Sequence, residues 1–295
     1  LTQDILPAVA HIGSIANLIR ADNQLISSGH DGIVKVWDIP TGELQHALGR
    51  HAGRFVAIGA SNARLVTAAH ESERSDYQLW DLKTGQNLES RTGVKYEWVD
   101  KVAVTSDGRC AILGKIDGDT LLQWSLDPLQ DRQPFEEVIQ QVIGLALSPD
   151  NTLIAVTTYK NRVLRVYRLE DRQVVFSTEQ PEPIHYPSVC FSPDQRWLVA
   201  GTNSGSMECF QLPTFELCHT ILTPYRYVAG LTFMDAQHLV TYSADGYVRI
   251  WDVAEGRLLT TIDAHDDVIR RVQVAGKRIL SLSTFEAKVW QINNG

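Results

Sequence analysis

Cysteine is scarce in this chain: Cys110, Cys190, Cys209 and Cys218 are the four among 295 residues. None forms a CxxC pair or stands at zinc-ligand spacing from a His, which argues against a metal knuckle and a dithiol redox site. Buried free thiols in a reducing, cytoplasmic setting are expected. No apolar run approaches the roughly 20 residues of a membrane-spanning helix, and there is no Asn-x-Ser/Thr acceptor and no basic-then-apolar leader, so no membrane partner is expected. Basic residues are the minority, 27 Lys and Arg against 35 Asp and Glu, for a formal charge of -8. A module that grips nucleic acid through phosphate contacts needs the opposite balance; no nucleic acid is expected as a partner, and a neutral or basic protein surface fits better. Catalytic signatures are also missing, with no GxSxG elbow, GxxxxGK[ST] loop, GxGxxG fingerprint or EF-hand loop, and no cofactor is implied. The chain opens on Leu1 rather than Met, which suggests a processed chain or a domain of a longer polypeptide.

Two short runs approach a metal motif without completing it. His70, Glu71, Ser72, Glu73 and Arg74 begin like HExxH but end in Arg, in a polar stretch between two strands rather than on a helix. Asp117, Gly118 and Asp119 carry paired carboxylates, yet they stand where a hairpin turn is due, and turn chemistry is the simpler reading.

What is present is a repeat. Short strand-like stretches end on Trp37, Trp80, Trp124, Tyr167, Phe210, Trp251 and Trp290, at spacings of 39 to 44 residues, the period of a four-stranded propeller blade. Within a repeat, turns such as Ser148-Pro149-Asp150, Ser192-Pro193-Asp194 and Thr105-Ser106-Asp107-Gly108 link strands a and b, Pro presetting φ and Asp bonding the local backbone. Asp31-Gly32 and Asp245-Gly246 supply hairpin chemistry between b and c. Thr41-Gly42, Thr84-Gly85 and Glu255-Gly256 turn the chain into strand d, expected at Leu44 to Leu48 and Leu258 to Ile262. The chain ends soon after Trp290, before a seventh strand d, and Ile5 to Val9 stand where one is due. The expectation is an all-β, seven-bladed propeller of four-stranded antiparallel blades spanning residues 1–295 as one domain, closed by the N-terminal strand.

With the Trp-Asp dipeptide intact at Trp37-Asp38, Trp80-Asp81 and Trp251-Asp252, the chain resembles the WD40-repeat family over essentially its whole length. The family's Gly-His position matches His11, His51 and His265. Its hydrogen-bonded tetrad maps onto His11, Ser27, Asp31 and Trp37, which the resemblance implies are structural. Repeat six keeps Thr241, Asp245 and Trp251 but has Pro224 in place of the His, and repeat four has Asn161 and Tyr167 for the Asp and Trp. Repeats three, four and five lack the His, so packing is expected to hold them.

Loops joining d to a and b to c leave one face of such a ring, the top, and exposed loops on a rigid scaffold are where recognition concentrates. Counting from the Gly-His position places Ser14, Arg54, Trp98, Gln141, His185, Tyr227 and Val268 there, and the same loops add Tyr96, Tyr186, Tyr225 and Arg226. Trp, Tyr and Arg are over-represented at interface hot spots. The resulting expectation is a non-catalytic scaffold or sensor that binds a protein or peptide over this face, around Trp98 and Tyr227. An autoregulatory domain acting on other domains of its own parent polypeptide is the alternative, and a propeller enzyme the third.

Overall fold

The computed structural model describes the chain except residues 1, 6–10, 12–14, 50, 52–55, 62, 72–73, 93–97, 118–120, 136–140, 285 and 293–295. Among the described residues there are 28 β-strands and no helix. After β1 (Thr2–Ile5), sheet one comprises β2 (Ile15–Ala21), β3 (Gln24–Gly29), β4 (Val34–Asp38) and β5 (Leu44–Leu48), and sheet two β6 (Val56–Ala60), β7 (Arg64–Glu71), β8 (Arg74–Asp81) and β9 (Asn87–Thr92). Sheet three comprises β10 (Trp98–Val104), β11 (Cys110–Asp117), β12 (Leu121–Ser125) and β13 (Gln133–Pro134), and sheet four β14 (Val142–Leu147), β15 (Leu153–Thr158), β16 (Val163–Arg168) and β17 (Val174–Glu179). Sheet five comprises β18 (Ser188–Phe191), β19 (Trp197–Gly201), β20 (Ser206–Gln211) and β21 (Glu216–Leu222), and sheet six β22 (Gly230–Phe233), β23 (His238–Tyr242), β24 (Tyr247–Asp252) and β25 (Arg257–Asp263). In each of these sheets the four strands, a to d, are neighbours in chain order. The last sheet takes β26 (Ile269–Ala275), β27 (Arg278–Ser283) and β28 (Ala287–Gln291) from the end of the chain and β1 from its start.

The β1 register against β28 runs antiparallel from Thr2↔Gln291 to Ile5↔Lys288. This strand stands ahead of the expected Ile5 to Val9, overlapping it only at Ile5; residues 6–10 lie outside the described ones. The chain forms two compact units. Val9–Ile143 holds sheets one to three, and Leu1–Ala8 with Gly144–Gly295 holds nearly all of the rest.

Short polar motifs set the turns. Ser148 Oγ donates to Asp150 Oδ1 at 2.6 Å and accepts the Leu153 N–H at 2.9 Å. Ser192 repeats both bonds, to Asp194 and from Trp197, and Thr105 does the same with Asp107 and Cys110. A hydroxyl and a carboxylate thus take over the backbone donors that the a-to-b turn leaves unpaired. The Asp of the Trp-Asp dipeptide has a comparable task. Asp38 Oδ1 accepts the Thr41 N–H and hydroxyl, both at 2.8 Å, and Asp81 accepts the same pair from Thr84 at 2.8 and 3.0 Å. Asp252 accepts the Glu255 N–H at 2.9 Å. Each of these residues therefore caps the c-to-d turn.

The core lies between consecutive sheets rather than within one. Ile26, Val36 and Leu48 of sheet one pack with Ile58, Leu65 and Trp80 of sheet two, and sheets two and three share Tyr77, Leu79, Val99, Leu113 and Trp124. In the other unit, sheets four and five meet around Val166, Leu198 and Phe210, five and six around Trp197, Leu239 and Trp251, and six and seven around Ile250, Ile279 and Trp290. A sheet that buries both faces against its neighbours needs apolar residues on both, which is why the b and c strands read as nearly continuous apolar runs.

Candidate functional site

His11, Ser27, Asp31 and Trp37 are hydrogen-bonded to one another across sheet one. His11 Nδ1 stands 3.0 Å from Asp31 Oδ1, His11 Nε2 2.8 Å from Ser27 Oγ, and Trp37 Nε1 donates to the same Oγ at 3.0 Å. Nδ1–H donates to the carboxylate, so Nε2 accepts from the serine hydroxyl. Burial holds the His11 imidazole below its usual pKa against the opposing pull of Asp31, which favours the neutral ring.

Sheet seven contains a second network of this kind. His265 Nε2 is 2.7 Å from Ser281 Oγ, Trp290 Nε1 donates to that Oγ at 2.9 Å, and His265 Nδ1 meets Glu286 Oε1 at 3.0 Å. Glu286 replaces the usual Asp, an exchange that sequence reading passed over although Ser281 precedes Trp290 much as Ser27 precedes Trp37. In sheets two and six the indoles of Trp80 and Trp251 reach Thr67 and Thr241 at 3.1 and 2.9 Å. With Pro224 at the Gly-His position of repeat six, Arg249 binds Asp245 Oδ2 at 2.6 Å and donates to Ser243 Oγ at 3.3 Å. The repeats without the His bury their anchors deeply: Trp124 and Tyr167 are fully buried, Phe210 nearly so. All of these groups are committed to holding strands together.

Of the two near-metal runs, His70 and Glu71 lie on β7 in register with Ser75 and Arg74 of β8, a tight hairpin rather than a helix. Residues 118–120 lie outside the described ones. Among the described residues no three His, Cys, Asp or Glu side chains converge as a metal site.

In an antiparallel meander the d-to-a and b-to-c connections emerge at one end of the sheets, the a-to-b and c-to-d turns at the other. Among the residues singled out at the first end, Arg54, Ser14 and Tyr96 lie outside the described ones. Trp98 is half-buried and opens β10 rather than standing in a loop, next to a register shift between Trp98 and Val99. Gln141 is half-buried at a φ of 55° just before β14. Tyr186 is not on the surface at all. It is 0% exposed, its hydroxyl donates to Glu208 Oε2 at 2.6 Å and accepts from Gln180 Nε2 at 2.6 Å. Burial and the Glu208 carboxylate push that hydroxyl well above its usual pKa, so it stays a neutral donor.

Tyr225, Arg226 and Tyr227 are exposed, the tyrosines at 37% and 40%. His185 is half-buried, and its ring stands edge-on to Tyr159 with centroids 4.8 Å apart. Tyr159, in the b-to-c connection of sheet four, is 54% exposed and was missed from the sequence, where an aromatic inside an otherwise polar turn was the available signal. Burial lowers the His185 pKa, partly offset by the Pro183 carbonyl, so the ring meets Tyr159 as a neutral aromatic edge.

The sheet-five b-to-c turn ties these residues into one surface. His185 N–H donates to Asn203 Oδ1 at 2.9 Å, and Asn203 N–H returns to the His185 carbonyl at 3.0 Å. On the far side, Gly205 adopts a φ of 88°, and a Cβ there would meet the Tyr225 carbonyl at 2.4 Å and Arg226 Cα at 2.9 Å. Thr223 Oγ1 donates to the Gly205 and Tyr225 carbonyls at 3.0 and 2.6 Å. Tyr159, His185, Asn203, Gly205, Tyr225, Arg226 and Tyr227 are therefore contiguous, and all belong to one compact unit.

Two family models match the chain, "WD domain, G-beta repeat" over residues 7–38 and "Anaphase-promoting complex subunit 4 WD40 domain" over residues 145–236. Among similar proteins, the COMPASS component SWD3 of Saccharomyces cerevisiae is 28% identical over 48% of this chain and 45% of its own length. The human pre-mRNA-processing factor 17 is 22% identical over 83% of this chain and 43% of its own length. The mouse kinesin-like protein KIF21B is 22% identical over 98% of this chain and 19% of its own length. The chain thus spans less than half the length of each of these relatives. A crystal structure of the computationally designed Ika8 protein superposes with a TM-score of 0.75 at 22% identity, covering 96% of this chain and 85% of that one. Seven four-stranded sheets give the chain the seven-bladed β-propeller fold, and its Trp-anchored hydrogen-bond networks and these partial matches make it similar to WD40-repeat proteins.

Proposed function

We propose that this propeller is a non-catalytic protein-interaction module whose binding surface is the end of the blades carrying the d-to-a and b-to-c loops, centred on blades four to six. One observation carries this reading: Tyr159, His185, Tyr225, Arg226 and Tyr227 form a contiguous aromatic and basic strip that the fold does not need for its core. Large rigid rings beside an Arg are the residue types that anchor interfaces. The matched relatives support an interaction role, since their names describe an assembly component and a processing factor. The expected partner is a protein or peptide. A partner within the same polypeptide is the second reading, favoured by relatives of which the match covers 45% and 43% of the length.

The test is to isolate a partner with the whole chain and measure affinity and melting temperature for Tyr159→Ala and Tyr227→Ala side by side. Tyr159 is more than half exposed and Tyr227 partly so, so stability should change by about 0.5 to 1 kcal/mol, while affinity should fall about thirty-fold if each is an anchor worth about 2 kcal/mol. Unchanged affinity for both variants would place the binding surface elsewhere.

A further inference from the structure

Resting on that binding role, we infer that the strip on blades four to six recognises an acidic peptide segment, Arg226 and Lys160 each receiving a carboxylate side chain at opposite ends of it. The chain as a whole is acidic, at a formal charge of -8, and by itself favours a neutral or basic partner. The strip departs from that average. Its four segments, residues 159–162, 181–187, 203–205 and 223–228, contain Lys160, Arg162 and Arg226 against one carboxylate, Glu182. Arg162 is already engaged, with its Nη2 3.7 Å from Glu179 and its Nε bonded to the Gln180 carbonyl at 3.3 Å. The Glu208 carboxylate beneath the strip is taken up by Tyr186 and Gln180 at 2.6 Å each. Among the described residues the charged groups of Arg226 and Lys160 have neither hydrogen bond nor ion pair, in a protein whose other arginines are largely paired.

Their placement gives the ligand its form. Arg226 falls between Tyr225 and Tyr227 in the chain and Lys160 directly after Tyr159, and all five residues are exposed. An unpaired guanidinium engages a carboxylate through its planar fork by two parallel hydrogen bonds. Burial and the nearby Tyr242 raise the Tyr227 hydroxyl above its usual pKa, so it remains a neutral donor. Between the two cations run the Tyr159 and His185 contact, the Asn203 turn and Gly205. An extended peptide laid along this stretch would carry an acidic side chain toward each end, with uncharged residues lying between them.

The experiment selects random 12-residue displayed peptides on the intact chain and measures the enriched sequences as synthetic, fluorescein-labelled peptides. Enrichment of two acidic positions separated by uncharged residues is expected, with affinity falling as salt rises. Arg226→Ala should weaken binding about ten- to thirty-fold and Arg226→Glu further, Lys160→Ala by a smaller factor, with unchanged melting temperatures because both side chains are solvent-facing. Replacing both acidic peptide residues by Gln should mimic the protein variants. Enriched peptides that are neutral or basic, or that bind Arg226→Ala as tightly as wild type, overturn the inference; if Tyr227→Ala still abolishes their binding, the interaction surface itself stands. Peptides indifferent to every substitution in the strip, or no enrichment at all, would remove both.

Discussion

Ser281 shows how much one hydroxyl carries. It is fully buried and serves two partners, the Trp290 indole and the His265 imidazole, at 2.9 and 2.7 Å. Ser281→Ala strands both, and each buried polar group left without a partner costs about 1 to 3 kcal/mol. A loss of about 2 kcal/mol or more in urea titration is expected, with Ser281→Thr far milder; equal losses for the two would mean that the hydroxyl is not the reason. The anchors rank by burial. Trp124 is fully buried and Trp37 only half so. Trp124→Ala should therefore cost on the order of 3 to 5 kcal/mol, and Trp37→Ala measurably less. His11, Ser27, Asp31 and Trp37 were legible in the sequence because each is a distinctive residue at a set offset from the Trp. Glu286 and Arg249 were not, since a longer acid or a base filling the same need has no fixed spacing.

Turns and connections are where glycine chemistry separates steric need from conformational need. Gly246 has a φ of 84° and its added Cβ would stand 2.0 Å from the His265 carbonyl, whereas Gly276 has a φ of 58° with nothing within 4 Å. Gly276→Ala should cost about 1 to 2 kcal/mol, the left-handed backbone penalty alone. Gly246→Ala should cost clearly more, because a backbone carbonyl must move as well. Matching melting curves for the two would contradict the close approach. Gly205→Ala pushes on the Tyr225 carbonyl in the same way, so it should lower peptide affinity more than removal of any one ring. Strand β1 is an element of another kind. Deleting residues 1–5 leaves the β28 backbone without its pairing from Thr2↔Gln291 to Ile5↔Lys288 and turns it into an exposed edge. Poor solubility or a large loss of stability is expected; cooperative melting within a few degrees of the full chain would show that the pairing contributes little.

Across the whole molecule the buried histidines link folding to pH. Burial pushes the His51 imidazole to about 4 against the pull of Asp76, and lowers those of His11 and His265 against Asp31 and Glu286. An unfolded chain protonates these rings near 6.5. Between about pH 6.5 and 4 the unfolded state thus binds protons that the folded state refuses, so stability is complete above about 6.5 and falls as the pH drops. For His51 the slope approaches about 1.4 kcal/mol per pH unit within that window. Urea midpoints at pH 7.5, 6 and 5 should decline, and His51→Asn should flatten the decline; a midpoint independent of pH would mean that the rings titrate alike in both states.

Period, strand order and turn placement were readable from the chain alone, because each blade is written within about 40 residues and its signals act locally: a hydroxyl and carboxylate closing one turn, Asp after Trp closing another, Gly where φ is positive. β5 falls on the expected Leu44 to Leu48, and β25 spans Arg257–Asp263 around the expected Leu258 to Ile262. Which loop aromatics face solvent was decided only by the folded chain. Tyr186 and Tyr225 are the same residue type in equivalent connections, yet Tyr186 is drawn inside by Glu208, 22 residues onward, and Gln180, while Tyr225 has no such partners and stays out. Tyr159 likewise joins the strip only because the fold brings it to His185, 26 residues away by number. Burial of a loop side chain depends on which groups distant strands bring beneath it, and that information is absent from the local pattern that specifies the blade.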